Sequence, residues 1–494
     1  MQRVWKLKLS LDRAAAESLH LQLVHQLTVA IRQGRLPGKA LLPGTRELAQ
    51  QLGINRKTVV EAYDELVAQG WLVAEGRRGT RVAPALLTAQ DKARGVSVLT
   101  ATPPQQAQYA LHGPRWSEPA PSAARVIEFS DGVPDSRLIP FDVLGRAYRR
   151  ALISTARAGQ LAYGDPRGQL ELRAQIAAML NLERGLSLGP QQLCVVRGSQ
   201  MGIYVAARVL VRPGDVVAMD ALTYPPARAA FIAAGARIVC IEQDAGGMRP
   251  EHLEALCQAH AIKAVYLTPH HQFPTTTLLS AERRLQVLAL AARHRFAVVE
   301  DDYDHEFQFA HHPTSPMASA APDQVVYIGS LSKVLAPGLR VGYIAGPTAL
   351  IERCAAQVMA IDRQGNAVTE LAVADLMQSG ELKRHIRRTL RIYQQRRAEF
   401  EHALRQHVGG QAQFDLPDGG LALWLRLPDW LDMARLQHDA LALGVRVPDS
   451  ASFAADQRAV HGLRLGFGPL QTEQLWLGAQ RLGTAMGQQN RAAT

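Results

Sequence analysis

The chain has 494 residues, 47% hydrophobic and 20% charged, an ordinary globular composition at a length that calls for more than one core. No apolar run reaches bilayer length, no apolar segment follows Met1-Gln2-Arg3-Val4-Trp5-Lys6, and Cys194, Cys240, Cys257 and Cys354 form no C-x-x-C pair. These observations argue against a membrane span, a secretory leader, a disulfide framework and a zinc-cysteine module, and a reducing cytoplasm is expected. Net charge is +11, and residues 1–83 carry thirteen Lys+Arg against seven Asp+Glu. A sixth of the chain thus holds over half the excess, which points to an N-terminal module for a polyanion.

Leu19, Leu23, Leu27 and Ile31 line one helical face, and Gly34 with Pro37-Gly38 ends that helix. Thr45 is the expected N-cap of a second helix with Leu48 and Leu52 inside and Gly53 as its stop. Asn55 caps a third, containing Val59, Ala62, Tyr63, Leu66 and Val67 and ending near Gly70. The short glycine-containing turn between helices two and three is the helix-turn-helix arrangement. Trp71-Leu72-Val73 and Thr80-Arg81-Val82 flank Gly76-Arg77-Arg78-Gly79, a hairpin that makes a basic wing. The first turn of helix three places Arg56, Lys57 and Thr58 toward phosphates and base edges.

Residues 1–83 resemble the GntR family of winged helix-turn-helix regulators. The matching pieces are Leu42-Pro43-Gly44-Thr45-Arg46-Glu47-Leu48-Ala49, Leu52-Gly53-Ile54-Asn55-Arg56-Lys57-Thr58-Val59, Ala62-Tyr63-Asp64-Glu65-Leu66 and the Gly79-Thr80 wing tip. The resemblance implies operator contacts from Arg46 and Arg56, with Thr45, Lys57, Thr58, Arg78 and Gly79 beside them. Some members carry a further arginine four residues after the second; here Val60 stands there.

From about 84 to 125 periodicity disappears into Ala, Pro, Gln, Ser and Thr, which reads as a semi-flexible linker, with Tyr109 to Trp116 as a possible docking stretch. From 126 to 494 apolar strands alternate with helices: Leu193 to Val196, Val216 to Met219, Arg237 to Ile241, Ala264 to Leu267, Ala297 to Glu300, Val325 to Ile328 and Val341 to Ala345. This predicts an α/β module on a mostly parallel sheet covered on both faces, with ligands at the carboxyl ends of its strands.

Polar clusters fall at those ends. Gly198-Ser199-Gln200 opens a helix and offers N–H groups and a hydroxyl to a phosphate. Tyr224 precedes Pro225-Pro226 and suits stacking on a flat ring. Glu300-Asp301-Asp302-Tyr303-Asp304 puts four acids at a buried strand end, which requires cationic partners. A protonated pyridine nitrogen would meet that need; a divalent metal held with His305 is the rival, although no second ligand set stands at metal spacing. Finally, Ser330-Leu331-Ser332-Lys333 and Arg340 lie between two apolar strands. A desolvated lysine there suits Schiff-base chemistry, and the hydroxyls with the arginine suit a phosphate beside it.

In this order the clusters resemble a fold-type I pyridoxal-phosphate aminotransferase, and with the GntR-type head the whole chain resembles the MocR class of bacterial regulators. The matching motifs are Tyr163-Gly164-Asp165-Pro166-Arg167-Gly168, Gly198-Ser199-Gln200, Tyr224-Pro225, Pro269-His270-His271-Gln272-Phe273-Pro274-Thr275, Glu300-Asp301-Asp302-Tyr303-Asp304, Ser330-Leu331-Ser332-Lys333 and Pro337-Gly338-Leu339-Arg340. The resemblance implies that Lys333 is the Schiff-base lysine and that Tyr224 stacks on the ring. It implies Asp301 at the pyridine nitrogen, with neighbouring Asp302 left open by register, and Tyr303 at the ring oxygen. Ser199, Gln200, Ser330, Ser332 and Arg340 are implied around the phosphate, and Tyr163 at the partner subunit's cofactor in a homodimer.

Two departures bear on activity. Phe273 replaces the asparagine that binds the ring oxygen in aminotransferases, a change MocR members often share, and Thr276 replaces the glycine that closes that motif. Arg464, in Gly462-Leu463-Arg464-Leu465-Gly466, occupies the strand that resembles the one bearing the substrate-carboxylate arginine, with a surface strand arginine as its alternative. The reading is a cytoplasmic, nucleoid-associated, pyridoxal-phosphate-dependent transcriptional regulator that binds operator DNA and senses an amino compound or the cofactor itself. The alternative is a bifunctional aminotransferase with an attached DNA module.

Overall fold

The computed structural model describes residues 7–84, 109–113, 126–130, 132–159, 162–309 and 314–493. The chain divides into two compact units, Met1–Pro119 and Ala120–Thr494. Most of the expected linker, residues 84–125, lies outside the described residues.

In the first unit, α1 (Leu19–Arg32), α2 (Thr45–Leu52) and α3 (Arg56–Ala68) are followed by an antiparallel hairpin, β1 (Leu72–Ala74) and β2 (Thr80–Val82). Leu23, Leu27, Leu48, Val59, Leu66, Leu72 and Val82 form one core, so the apolar spacing that predicts the helices also closes them on each other. Gly44, rather than Thr45, is the N-cap of α2; Thr45 is its first helical residue. Leu42-Pro43-Gly44 holds an extended entry, and the Tyr63 hydroxyl of α3 donates to the Pro43 carbonyl at 3.0 Å, fixing where α2 begins. Gly53 ends α2 in the left-handed region, and the Asn55 side chain accepts the Lys57 N–H at 2.8 Å to start α3.

The second unit is built on seven strands: β3 (Leu193–Val196), β4 (Val216–Asp220), β5 (Arg237–Ile241), β6 (Ile262–Leu267), β7 (Ala297–Asp302), β8 (Val325–Ser330) and β9 (Gly342–Ala345). Their order is β3-β9-β8-β7-β6-β4-β5. Only β9 runs against its neighbours; the other pairs are parallel. One face packs on α5 (Gly198–Leu210), α6 (Pro225–Ala233) and α8 (Thr348–Asp362), through Val217, Val299, Ile328, Ile203, Phe231 and Ile351. The other packs on α4 (Leu170–Arg184), α7 (Ala281–His294), α9 (Ala367–Gln378) and α10 (Glu381–His407), through Val298, Tyr327, Leu180 and Val287. A smaller antiparallel sheet joins β10 (Gln413–Phe414), β11 (Ala422–Arg426) and β12 (Gly462–Gly466), and the chain's last described helix is α11 (Thr472–Ala493). No helix among the described residues is long and apolar enough to cross a membrane.

Candidate functional site

β7 runs two residues further than its apolar stretch predicts, so Asp301 and Asp302 belong to the strand and point to opposite faces. Register then decides their partners. Val299 pairs with Tyr266 of β6, which leaves Asp301 two positions on and on the same face; the Tyr266 hydroxyl donates to it at 2.8 Å. Glu300 pairs with Tyr327 of β8, and the Tyr327 hydroxyl likewise donates to Asp302 at 2.6 Å. Asp302 also receives Arg184 at 2.6 Å. Burial pushes its carboxyl up, but Arg184, with His270 and His305 beside it, holds it well below the carboxylate range.

The other acids are answered too. Glu300 accepts the N–H groups of Met317 at 2.9 Å and Ala318 at 3.0 Å, and Asp304 lies 2.7 Å from His271 Nδ1. Asp301 holds the Tyr266 hydroxyl on one oxygen; among the described residues its Oδ1, like that of Asp302, is buried with no hydrogen-bond partner. Burial pushes its carboxyl up to about 7, against the pull of Tyr266 and Lys333.

Lys333 lies on the loop between β8 and β9, its Nζ 4.3 Å from the centroid of the Tyr303 ring. The loop is clasped at its base. The Ser332 hydroxyl donates to the Val341 carbonyl and accepts the Val341 N–H, both at 3.2 Å, and Ser330 Oγ accepts the Ser332 N–H at 3.2 Å. The loop ends on Arg340, whose guanidinium donates to the Arg197 carbonyl at 3.0 Å and lies over Gly198, the first residue of α5. A Cβ at Gly198 would sit 2.9 Å from that guanidinium, and one at Gly342 would sit 2.6 Å from the Gly198 carbonyl carbon. Two glycines therefore let β9 and Arg340 close on the N-terminus of α5, where Ser199 is part-buried. Gln200 donates to the Pro226 carbonyl at 2.8 Å, and its Oε1 is buried without a hydrogen-bond partner among the described residues.

An aromatic wall completes the site: Phe273, Tyr303, Trp424 and Phe453 cluster with part-buried Tyr224. Tyr224 and Phe453 meet Phe273 edge-on at 5.0 and 5.4 Å. Arg464 is 1% exposed, so the surface alternative does not hold. Its guanidinium lies 4.5 Å over the Phe273 ring and donates to the Pro274 carbonyl at 3.1 Å and the Tyr303 hydroxyl at 3.3 Å. The Tyr303 hydroxyl itself donates to the His271 carbonyl at 2.9 Å. Tyr163 stands apart, 77% exposed, with Arg363 4.9 Å over its ring. The sequence reading missed Tyr266, Tyr327 and Arg184. Alternation along β6 and β8 was the available signal for the tyrosines; nothing local marks Arg184, which is 118 residues from Asp302.

In the first unit, Arg46, Arg56 and Lys57 are exposed at the starts of α2 and α3. Arg56 Nε reaches Thr45 Oγ1 at 3.4 Å and so brings the two helix starts together. Thr58 is part-buried, and Arg78 and Gly79 are exposed on the wing.

The model for aminotransferase class I and II matches residues 125–472. The chain belongs to that family. The model for bacterial regulatory proteins of the gntR family matches residues 19–82, so a GntR head precedes the family domain. Relatives share both parts. The probable rhizopine catabolism regulatory protein MocR of Rhizobium meliloti is 29% identical over 97% of this chain and 95% of its own. The HTH-type transcriptional regulator TauR of Rhodobacter capsulatus is 29% identical over 95% and 96%. This is the architecture of the MocR class, and the chain is a member of it. Among solved structures, the multiple substrate aminotransferase of Thermococcus profundus superposes with a TM-score of 0.71 at 26% identity, over 75% of this chain and 93% of its own. LysN of Thermus thermophilus, solved with N-(5'-phosphopyridoxyl)-L-leucine, gives 0.69 at 26% identity, over 75% and 94%. The large unit is thus an aminotransferase-type domain on a fold whose solved members include one carrying a phosphopyridoxyl group.

Proposed function

We propose that this chain is a transcriptional regulator that binds operator DNA through its head, holds pyridoxal 5'-phosphate in its large domain and reads a small amino compound there. The observation that carries the cofactor is Asp301. A buried carboxyl with one unanswered oxygen, beside a lysine, fits a protonated ring nitrogen; the new positive charge would draw the acid back to its ionised form. The N-terminus of α5, with Ser199, Gln200, Ser330 and Arg340, suits the phosphate. Ser332 serves by holding the lysine loop shut. Tyr224 would flank the ring, and Tyr303 would exchange a hydrogen bond for one to the ring oxygen.

When bound, the cofactor supplies an aldehyde carbon that primary amines attack and a ring that withdraws electrons. The chain's own residues do the rest. Lys333 presents a primary amine and can carry a proton once displaced. Arg464, buried and aimed at the aromatic wall, suits an acid group on the effector. Phe273 cannot hold the ring oxygen as an asparagine would, so turnover is expected to be poor and sensing favoured. A working aminotransferase is the second reading.

The test is spectroscopic. Purified protein should absorb in the visible; borohydride should replace that band by a near-ultraviolet pyridoxyl absorbance that stays with the chain on denaturation, and Lys333→Ala should show neither. An amine that shifts the absorbance should also change operator affinity in a mobility-shift assay. Turnover on the order of 1–1,000 per second with an amino donor and a keto acid would favour the bifunctional enzyme.

A further inference from the structure

A second cavity, of about 590 Å³, opens on the Asp302 side of β7, between α4, the loop after Tyr303 and the start of α10. Met179, Leu182, Met377, Leu382, Ile386 and Leu390 give it an apolar wall, and Glu183, Arg184, Lys383 and Arg387 are among the charged residues that also line it. Among its charged groups Glu306 stands out. Its side chain is 4% exposed, yet among the described residues no other residue donates a hydrogen bond to either carboxylate oxygen. His305 Nε2 faces it at 3.4 Å and is likewise without a hydrogen-bond partner among the described residues. Each of the other acids of this strand end accepts a hydrogen bond or meets a histidine at 2.7 Å, whereas Glu306 has His305 at 3.4 Å.

A buried carboxyl without donors destabilises a fold by the desolvation it is never repaid. Here burial pushes it up to about 7. An anion would be repelled by it, and a purely apolar ligand would leave it unanswered. A protonated amine carries the opposite charge and at least one N–H donor, which the two oxygens can share. The apolar walls then require a hydrocarbon or aromatic body, and the volume suits a small molecule. Lys383 at the rim is already paired with Glu183 at 3.0 Å.

We propose that this cavity is a second ligand site, taking a small amine with an apolar body, its protonated nitrogen on Glu306. The site is separate from the Lys333 pocket but shares its framework. Arg184 lines the cavity and grips Asp302, whose neighbour Asp301 faces the cofactor pocket, and His305 Nδ1 lies 3.8 Å from Asp302. An occupant here would therefore press on the strand end that carries Asp301, giving the regulator a second input that needs no reaction with an aldehyde.

The probe is N,N-dimethylhexylamine, a tertiary amine that cannot condense with an aldehyde. Calorimetric titration into the full-length, cofactor-loaded protein should show one saturable site, with the visible absorbance of Lys333-linked cofactor retained. Glu306→Gln should lower affinity by about tenfold or more, as loss of a charge-assisted hydrogen bond predicts. Ala178→Trp should block entry from an exposed helical position. Thermal unfolding of both variants verifies that they fold. 1-Heptanol, similar in shape but uncharged, should bind at least about tenfold more weakly. No binding at millimolar amine, equal binding of amine and alcohol, or unchanged affinity in both folded variants would each overturn the proposal.

Discussion

Asp301 and Asp302 are adjacent, both buried, and opposite in consequence. Asp302 is held ionised by Arg184, so Asp302→Asn leaves a buried guanidinium unpaired and should cost roughly 3–5 kcal/mol. Asp301 carries a folded pKa of about 7, above the unfolded carboxylate value. A raised acid binds more protons folded than unfolded, so it takes stability away as pH rises from about 4 toward 7. Asp301→Asn in cofactor-free protein should therefore raise the unfolding temperature of the large domain at pH 8 and leave it little changed near pH 4.5. Calorimetry at the two pH values checks both sign and window; an equal shift at both would show that Asp301 does not titrate between them. Thr276 is a second residue with its own energy. It sits where the related motif closes on glycine, and it keeps the turn with φ at +61°, a conformation costly for a β-branched residue. Thr276→Gly should raise stability by up to about 1 kcal/mol in urea unfolding, the gain reduced by glycine's greater unfolded freedom. A loss of stability would show that glycine's greater unfolded freedom outweighs the strain.

Among the elements, legibility followed the range of the cause. The head's three helices and hairpin were readable because capping residues, glycine stops and 3.6-residue spacing act within a dozen positions. Even there, the Thr45 cap moved to Gly44, since Tyr63 reaching Pro43 decides it from twenty residues away. The sheet strands were readable as apolar runs, but β7 outran its apolar stretch because tyrosines on both neighbouring strands satisfy its last two acids. The Glu306 cavity was not readable, because it is made of side chains from α4, α9 and α10 that meet only in the fold. The recognition helix carries its own prediction. Asn55→Ala removes the cap on Lys57 and should destabilise the head by about 1 kcal/mol. Arg56→Ala leaves the cap intact and should instead cost roughly 1–3 kcal/mol of operator affinity if it reads a base. A mobility-shift series at fixed salt separates the two: unchanged affinity for Arg56→Ala removes that residue from the interface.

For the whole molecule, the open question is what Tyr163 does on the surface. A tyrosine exposed to 77% has lost little of its hydration, and its neighbours Gly164 and Arg363 come from two segments far apart in the sequence, with Gln364 holding the Gly164 N–H. A tyrosine presented on such a tethered loop, in a fold whose sites are expected at subunit boundaries, fits a residue offered to a second copy of the chain. The protein is therefore expected to be a homodimer through the large domain, with twice the 53.9 kDa chain mass by light scattering. Two heads on one dimer call for repeated or palindromic half-sites. Tyr163→Ala should leave each chain folded but weaken cofactor retention, measured as faster loss of the visible absorbance on dialysis. It should also leave the binding of an isolated half-site by the head unchanged. A monomeric mass with cofactor bound, or cofactor loss unaffected by Tyr163→Ala, would place the whole site within one chain and remove the structural reason for paired half-sites.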